Sequence, residues 1–438
     1  MENKKIKLIF DGRILISYLY KNKNRSGIFF VAWNLLREFA KNTNLDITIF
    51  YEYQMFNEMQ QLKELGIIPK NCSFIDLKDI AIPFISNYIN LLFDLKQKFP
   101  KGDKKDNILK KILRYIAARS FRLYYKYAMY LSEFGNLTDY DVFFSPCNAI
   151  HPAIKKNKHV KTYLLVHDII PIKLKDFYKG YEYQIKGMKD IIKSINPSDK
   201  YFTVSKNTKA DILEHNKALR DENFVVTYLG TNENFHRETD LNKLNATKVK
   251  YNIPESKKYV FCLCTLEPRK NLLFAINNFA DFVQKNNIDD LVFVLGGASW
   301  ETFKDIENIK NCSKYFIKTG YIEDEDISAL YSGAEMFVYP SLYEGFGLPV
   351  LEAMQCGCPV ITSNVSSLPE VIGDAGIQIN PKSNEEMLSA YDKMYFDKDF
   401  RQSCIDKGLK RAKLFSWNKC AYIMYKTFCE DLRSEASV

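Results

Sequence analysis

The chain has 438 residues, of which 46% are hydrophobic, and a formal net charge of +9. This length predicts two domains, and the composition is typical of a globular protein and excludes a disordered chain. No apolar run reaches about eighteen residues, so we expect no membrane-spanning helix. The ten cysteines are scattered. They have no spacing typical of a metal site, so we predict reduced thiols in a cytoplasmic protein.

The positive charge is concentrated in residues 94–130. This segment contains eleven Lys and Arg against three Asp, which gives a local net charge of +8. Apolar residues recur at helical spacing between the charges, as in Ile108, Ile112 and Ile116. Three interpretations are open: a solvated helical face, an apolar stripe packed on the domain beneath it, or contact with an anionic membrane on its inner face. We expect no nucleic acid as a partner.

Strand-like apolar runs alternate with helical patterns along most of the chain, which predicts an α/β fold with parallel sheets. In chain order, the predicted strands cover residues 6–10, 45–50, 142–146, 162–166, 201–204, 225–229, 259–264, 291–295, 315–319, 336–339 and 359–362. Predicted helices cover 28–40, 206–215 with Ser205 as the N-cap, 271–284, 324–332, a stretch from 384 and 415–432. A polar stretch, 231–250, is predicted to be a linker.

The pattern restarts after this linker, which predicts two Rossmann-like domains facing an interdomain cleft. We place the first domain at residues 1–235, with the basic helical insertion at about 94–130. The second domain is predicted at 236–414. The last segment, 415–438, is predicted to form a C-terminal helix, and two placements are open: packing on the second domain, or crossing back to the first domain.

The segment EGFGLPVLE, residues 344–352, follows a predicted strand, and Pro349 suits the first position of a helix. Backbone N–H groups at a helix start bind anions, and glycines allow a ligand close to the backbone. We expect Glu344 before the turn and Glu352 in the first helical turn. Both would lie at the mouth of one pocket, where carboxylates accept hydrogen bonds from sugar hydroxyls. The alternative is that Glu352 only complements the helix dipole.

Two further polar groups follow predicted strands. Arg269 and Lys270 come after strand 259–264, and His167 with Asp168 after strand 162–166. Open α/β sheets bind ligands at the carboxyl ends of their strands, so two adjacent cations there suit a diphosphate. The alternatives are solvated surface charges for the cations and a hydrogen-bonded core residue for His167.

These motifs together resemble the retaining glycosyltransferases of family 4 (glycosyltransferase group 1), whose E-x7-E signature matches residues 344–352. The resemblance extends to TLEPRKN at 265–271, GYIEDEDISALY at 320–331, HD at 167–168, FTVS at 202–205 and FSW at 415–417. It covers the second half of the chain strongly and the first half sparsely. It implies the GT-B fold.

The resemblance also implies a role for each matching residue. Glu344 would lie near the anomeric carbon of the donor sugar, His167 would approach that sugar from the first domain, and Arg269 with Lys270 would hold the donor pyrophosphate. The residues implied in donor binding are Gly27, Tyr321, Ile322, Gly345, Phe346, Gly347, Leu348 and Glu352. Among these, Tyr321 and Ile322 would border the base and Glu352 would accept from the ribose hydroxyls.

One departure from the family pattern concerns the loop after the first strand. The family often has two glycines there, whereas this chain has only Gly27, followed by Ile28 and the bulky Phe29. The resemblance further implies that neither a metal nor another cofactor is needed. Two Asp-x-Asp patterns, 139–141 and 324–326, precede a strand and open a helix, so capping and surface charge explain them better than a metal.

The resulting prediction is a metal-independent retaining glycosyltransferase. It would move a hexose from a nucleotide-diphosphate sugar, with GDP-mannose favoured over UDP-sugars, to a surface-polysaccharide or lipid-linked glycan. Two alternatives remain. One is a sugar-nucleotide epimerase or phosphorylase on the same fold, and the other is a non-catalytic scaffold that recruits a partner through residues 94–130.

Overall fold

The computed structural model describes residues 5–19, 27–51, 55–75, 137–150, 152–265, 267–297 and 315–436. The basic segment 94–130 lies outside the described residues, so its predicted helix and membrane contact stay predictions.

Two parallel sheets form the framework of the described chain. The strands are β1 Ile6–Asp11, β2 Leu45–Phe50, β3 Ser73–Phe74, β4 Val142–Ser145, β5 Lys161–Val166, β6 Tyr201–Thr203, β7 Phe224–Val226, β8 Lys258–Leu263, β9 Leu291–Gly296, β10 Phe316–Gly320, β11 Met336–Tyr339, β12 Val360–Ser363 and β13 Gly376–Ile379. Seven strands pair in the order β3-β2-β1-β4-β5-β6-β7, and six in the order β10-β9-β8-β11-β12-β13. The predicted α/β class is confirmed, and each predicted strand has an observed counterpart. Strands β3 and β13 were not predicted.

Helices connect these strands. They are α1 Gly27–Lys41, α2 Phe56–Glu64, α3 Pro152–Lys156, α4 Ile170–Lys173, α5 Glu182–Lys193, α6 Lys206–His215, α7 Leu241–Lys250, α8 Leu272–Lys285, α9 Asp324–Ser332, α10 Leu348–Gln355, α11 Leu368–Ile372, α12 Asn384–Phe396, α13 Lys398–Ala412 and α14 Trp417–Ala436. Short 3-10 helices cover Arg13–Leu19, Leu137–Asp139, Lys175–Tyr178, Asp221–Asn223 and Pro268–Lys270. The prediction for Ser205 is confirmed, because its side chain accepts a hydrogen bond from the Thr208 N–H at the start of α6.

The predicted linker is wrong in its second half, where α7 forms. Asp240 caps this helix through the Asn242 N–H, and Lys250 at its last turn pairs with Asp326. Thr247 is the buried residue of the helix. The polar sequence contains too few apolar residues to show a helical period, and local caps and tertiary contacts form the helix instead.

By its internal contacts the chain divides into two compact units. One comprises residues 1–164, 191–199 and 432–438, and the other comprises 165–190 and 200–431. Within the second unit, α14 packs on strand β6, with the rings of Phe202 and Phe428 5.9 Å apart. The predicted domain limits, 1–235, 236–414 and 415–438, stay predictions.

The order of the strands in the second unit decides which loops meet. Strands β8 and β11 are neighbours and run parallel, so the loops that follow them emerge at the same edge of the sheet. Strands β5 and β6 are also parallel neighbours. The residues after these four strands supply the site.

Candidate active site

Arg269 and Lys270 lie in the 3-10 helix Pro268–Lys270, which follows β8. Asn271 ends this turn in the left-handed conformation (φ 56°) and directs the chain into α8. Arg269 is 9% exposed and Lys270 is 7% exposed. The alternative of solvated surface charges is therefore wrong. Cations buried this deeply require carboxylate partners.

Glu344 is that partner for both cations. Its Oε1 lies 2.7 Å from Lys270 Nζ, and its Oε2 lies 2.8 Å from Arg269 Nη1. Ser341 donates a further hydrogen bond to Oε1 at 2.6 Å. Burial acts to raise the pKa of Glu344, but the charges of Lys270 and Arg269 outweigh it and lower the pKa to about 2. Glu344 is therefore an ionised, fixed carboxylate.

The Arg269 guanidinium makes further contacts besides Glu344, and its Nε–H is unused among the described residues. Its Nη1 donates to the Tyr343 carbonyl at 2.5 Å, and its Nη2 lies 3.1 Å from a Glu267 carboxylate oxygen. Its Nε is buried without a hydrogen-bond partner among the described residues. Such a donor remains available to an incoming ligand.

Tyr339, the last residue of β11, was not predicted as a site residue. Lys270 Nζ lies 2.6 Å from its hydroxyl oxygen. Burial raises the pKa of Tyr339 well above its ordinary value, so the hydroxyl stays neutral. Its only signal in the sequence was its place at the end of a predicted strand.

The glycines around Phe346 are required by their backbone and their neighbours. A Cβ on Gly345 would lie 2.4 Å from the His167 carbonyl oxygen, so no side chain fits there. Gly347 has φ 115°, a region that favours glycine, and it immediately precedes α10. Ser367 donates to the carbonyls of Glu344 and Phe346, at 3.0 and 2.8 Å. The loop from 344 to 348 is thereby held at several points before the helix begins.

The side chain of Phe346 points into an aromatic cluster. Its ring lies 6.2 Å from that of Tyr228 and 5.9 Å from that of Phe415. Phe346 is buried. Its predicted contribution to donor binding therefore rests on its backbone, together with the N–H groups of Gly347 and Leu348.

Glu352 does not lie in the first turn of α10. The helix begins at Leu348 and has no acidic residue in its first turn, so that prediction is wrong. Pro349 takes the second helical position, which moves Glu352 one turn into the helix. There the Tyr331 hydroxyl donates to Glu352 Oε2 at 3.1 Å. Burial raises the pKa of Glu352 to about 7, against the lowering effect of this hydrogen bond.

His167 and Asp168 follow β5, and the structure brings the His167 carbonyl and the Asp168 side chain against Gly345. The His167 carbonyl accepts from Thr208 Oγ1 at 3.0 Å. Asp168 Oδ1 accepts from the Ile170 N–H at 2.9 Å, at the start of α4. Burial raises the pKa of Asp168, although this N–H and the charge of Arg269 oppose the shift. The nearby charge of Arg269 puts Asp168 in the same electrostatic environment as Glu344.

Three further residues, Tyr321, Ile322 and Gly27, were predicted to bind the donor. Tyr321 is 39% exposed and follows β10, whereas Ile322 is buried and packs against Gly296. Gly27 is the first residue of α1 in the other compact unit, and no described atom lies within 4 Å of an added Cβ. Phe29 is buried against Tyr18 and Trp33 and is a core residue.

Both Asp-x-Asp patterns have structural partners. Asp141 accepts from the Lys7 N–H at 2.8 Å, and Asp326 contacts Lys250 and the Tyr251 hydroxyl. Both residues have structural contacts, but Asp326 is buried and is not the surface charge that was expected. The expectation that neither a metal nor a cofactor is needed stays a prediction.

Part of the chain matches a known protein family. Residues 245–411, which include Arg269, Lys270, Glu344 and Glu352, match the family model described as glycosyl transferases group 1. Residues 245–411 are a group 1 glycosyltransferase domain. The resemblance stated from the sequence is confirmed by this match.

Two curated relatives of the group 1 domain come from Escherichia coli. The O-antigen chain mannosyltransferase B is 37% identical over 164 residues, which are 37% of this chain and 43% of that protein. The serotype-specific mannosyltransferase WbdA is 28% identical over 278 residues, which are 63% of this chain and 34% of that protein. The chain thus spans less than half the length of either relative.

The likeness to solved structures extends over nearly the whole chain. The Anabaena protein HepE, solved in complex with UDP and glucose, aligns with a TM-score of 0.63 at 12% identity. The alignment covers 97% of this chain and all of that one. This likeness concerns the fold, which is GT-B as predicted. In the part of the chain that the structure describes, no helix is long and apolar enough to cross a membrane.

Proposed function

We propose that this protein is a retaining glycosyltransferase that moves mannose from GDP-mannose to a surface-polysaccharide or lipid-linked glycan. The buried cluster of Arg269, Lys270 and Glu344 in a group 1 domain carries this proposal. Two buried cations, Arg269 and Lys270, lie there after β8, and Glu344 after β11 binds both of them. A diphosphate leaving group would be stabilised at that position.

Two observations support the binding of a donor in this place. Arg269 Nε is a buried donor without a partner among the described residues, and Lys270 Nζ contacts the neutral Tyr339 hydroxyl and the Glu344 carboxylate that it shares with Arg269. Helix α10 begins at Leu348, four residues after Glu344, and the N–H groups at a helix start favour an anion. Glu352 and Tyr331 would receive the ribose, and Tyr321 and Ile322 the base.

In the proposed reaction, the bond between the anomeric carbon and the phosphate oxygen breaks. The acceptor oxygen forms its bond to that carbon on the same face of the sugar. The proton of the acceptor hydroxyl passes to the departing phosphate oxygen. Glu344 cannot take that proton efficiently, because a carboxylate with a pKa of about 2 is a weak base. Its role is to hold the donor sugar and to fix Arg269 and Lys270.

The choice of sugar rests on the relatives. Both E. coli proteins are named mannosyltransferases, and the first is named for the O-antigen chain. We extend mannose and a polysaccharide acceptor to this chain on that basis. The proposed location is cytoplasmic and associated with the inner face of the membrane, and the proposed reaction requires no metal because Arg269 and Lys270 supply the positive charge.

A transfer assay tests this proposal. The full chain is incubated with octyl α-mannoside and, in turn, GDP-mannose, UDP-glucose and UDP-N-acetylglucosamine, with chelator present. Mass spectrometry measures the sugar transferred, and NMR gives the anomeric configuration of the product. We expect mannose transfer from GDP-mannose with an α-linkage. A β-linked product would refute retention, and isomerised donor without transfer would favour an epimerase instead.

Variants connect the activity to the charge cluster. Lys270→Ala and Glu344→Ala should each lower transfer by about 10²–10³-fold, because charge stabilisation of the leaving group is lost. Lys258→Ala is the matched control. Lys258 is the first residue of the same strand, β8, and it forms an exposed ion pair with Asp290. Near-normal transfer in both cluster variants would refute the proposal. Donor binding without any turnover in the unaltered protein would favour a scaffold.

A further inference from the structure

Tyr343, the residue before Glu344, has its side chain held by α6. Its hydroxyl donates to Asp211 Oδ2 at 2.6 Å and accepts from Asn207 Nδ2 at 3.0 Å. Asp211 and Tyr343 are 132 positions apart in the sequence, and neither is part of a motif-based assignment. A phenol bonded on both sides by one helix has a fixed ring orientation.

Asp211 is itself fixed by a third element. It is 5% exposed and forms an ion pair with Lys173, the last residue of α4. The Lys173 ammonium also lies 5.2 Å from the centre of the Tyr343 ring. Asn207 donates to Asp211 at 3.2 Å from the preceding turn of α6. Lys173, Asn207 and Asp211 therefore enclose the Tyr343 side chain.

The backbone of Tyr343 connects this arrangement to the candidate active site. Arg269 Nη1 donates to the Tyr343 carbonyl at 2.5 Å and lies 2.8 Å from Glu344 Oε2. One nitrogen thus joins the main chain of residue 343 to the carboxylate of residue 344. A displacement of the Tyr343 main chain would move the carbonyl that accepts from Arg269.

The start of α6 holds the other side of Glu344. Ser205, the N-cap of α6, donates to the Gly345 carbonyl at 2.7 Å. Helix α6 therefore fixes the residues on both sides of Glu344, through Ser205 at Gly345 and through Asp211 at Tyr343. This is the arrangement expected of a support that keeps a reacting geometry within a few tenths of an ångström.

We propose that Asp211 is a positioning residue for sugar transfer, acting through Tyr343 to orient Arg269 and Glu344. The inference rests on the proposed function. Asp211 touches no reacting atom in this scheme. Without Asp211 the charged side chains of the cluster would still be present, but their positions relative to the donor would change. The rate of the chemical step would therefore fall more than the affinity for the donor.

The test compares Tyr343→Phe, Asp211→Ala and the double variant in the full chain, with GDP-mannose and octyl α-mannoside. Each single variant should lower kcat by at least about tenfold, while KM for GDP-mannose changes by less than about threefold. The double variant should lose no more than the single variants, because both remove the same hydrogen bond. Circular dichroism and the melting temperature check that each variant is folded.

Glu214→Ala is the matched control. Glu214 is an acidic residue on the same helix and also lies near Lys173 Nζ, at 3.5 Å, but its side chain is exposed. Its kcat should equal that of the unaltered protein. If Asp211→Ala fails to fold, Tyr343→Phe decides, because it removes a single oxygen.

The outcomes separate the two proposals. Transfer by the unaltered protein, with full kcat in Tyr343→Phe, would refute the positioning role alone. Single losses that multiply in the double variant would refute it too, since they would indicate independent effects. Absence of transfer by the unaltered protein from every donor tested would refute the proposed function and the positioning role together.

Discussion

Lys270 Nζ and Glu344 Oε1 lie 2.7 Å apart, and both side chains are buried. The same oxygen accepts a hydrogen bond from Ser341, and the second carboxylate oxygen faces Arg269. The charges at this position are therefore ordered before any donor binds. Preorganised charges stabilise a developing anion without the cost of reorientation during the reaction.

The ionised state of Glu344 should make the protein sensitive to acid. Its pKa falls from an ordinary 4.5 to about 2 in the folded protein. A lowered pKa adds stability above about pH 4.5, and this stability is lost as the pH falls toward 2. Between about pH 6 and pH 3 the unaltered protein should therefore lose about 2 kcal/mol more unfolding free energy than Glu344→Gln. Urea unfolding at several pH values measures this, and identical pH profiles would contradict it.

Glu352 should give the unfolding free energy a pH dependence opposite to that given by Glu344. Its pKa is raised from 4.5 to about 7 by burial, so its contribution to stability is complete below about pH 4.5 and is lost as the pH rises through 7. From about pH 5 to pH 8 the unaltered protein should lose about 2 kcal/mol relative to Glu352→Gln. Denaturant unfolding at both pH values gives the difference. The control is Glu385→Gln, at an exposed position in the first turn of α12, which should leave the profile unchanged.

Gly345→Ala should destabilise the protein strongly. The new Cβ would lie 2.4 Å from the His167 carbonyl oxygen, and backbone cannot move aside as a flexible side chain can. We expect a loss of about 1–3 kcal/mol in unfolding free energy and a loss of transfer. Gly187→Ala is the control, because Gly187 lies inside α5 with no described atom within 4 Å of an added Cβ. That change should stabilise by about 0.5–1 kcal/mol, and equal effects of the two substitutions would refute the steric argument.

Ser205→Ala should cost more than the loss of an ordinary helix cap. Ser205 accepts from the Thr208 N–H and also donates to the Gly345 carbonyl. We expect about 2 kcal/mol of destabilisation, since a cap and a buried hydrogen bond are both removed. Ser383→Ala provides the comparison, because Ser383 caps α12 through the Glu386 N–H at the protein surface. Its loss should cost about 1 kcal/mol. Thermal unfolding of the two variants tests the difference, and an equal cost would indicate that the contact with Gly345 contributes nothing.

Sequence reasoning was most successful where strands end. Apolar runs predicted β5, β8 and β11, and the polar residues directly after them are those that the structure brings together. The local pattern located these strand ends, and the strand order, in which β8 and β11 are parallel neighbours, brings the ends of those two strands to one edge. The polar helix α7 escaped prediction, because its sequence has no apolar period to detect.

By itself, the sequence determined the α/β class, the strands, the glycine-rich turn at 345–347 and the family of residues 245–411. These features depend on short-range periodicity, backbone freedom and motif spacing. The tertiary structure alone decided which charges pair, that Glu352 bonds Tyr331, and that Asp211 holds Tyr343. Contacts between residues that are distant in the chain depend on strand order and on the burial that packing creates. The pairing of Lys270 with Glu344 and the raised pKa of Glu352 therefore have no signature in the local sequence.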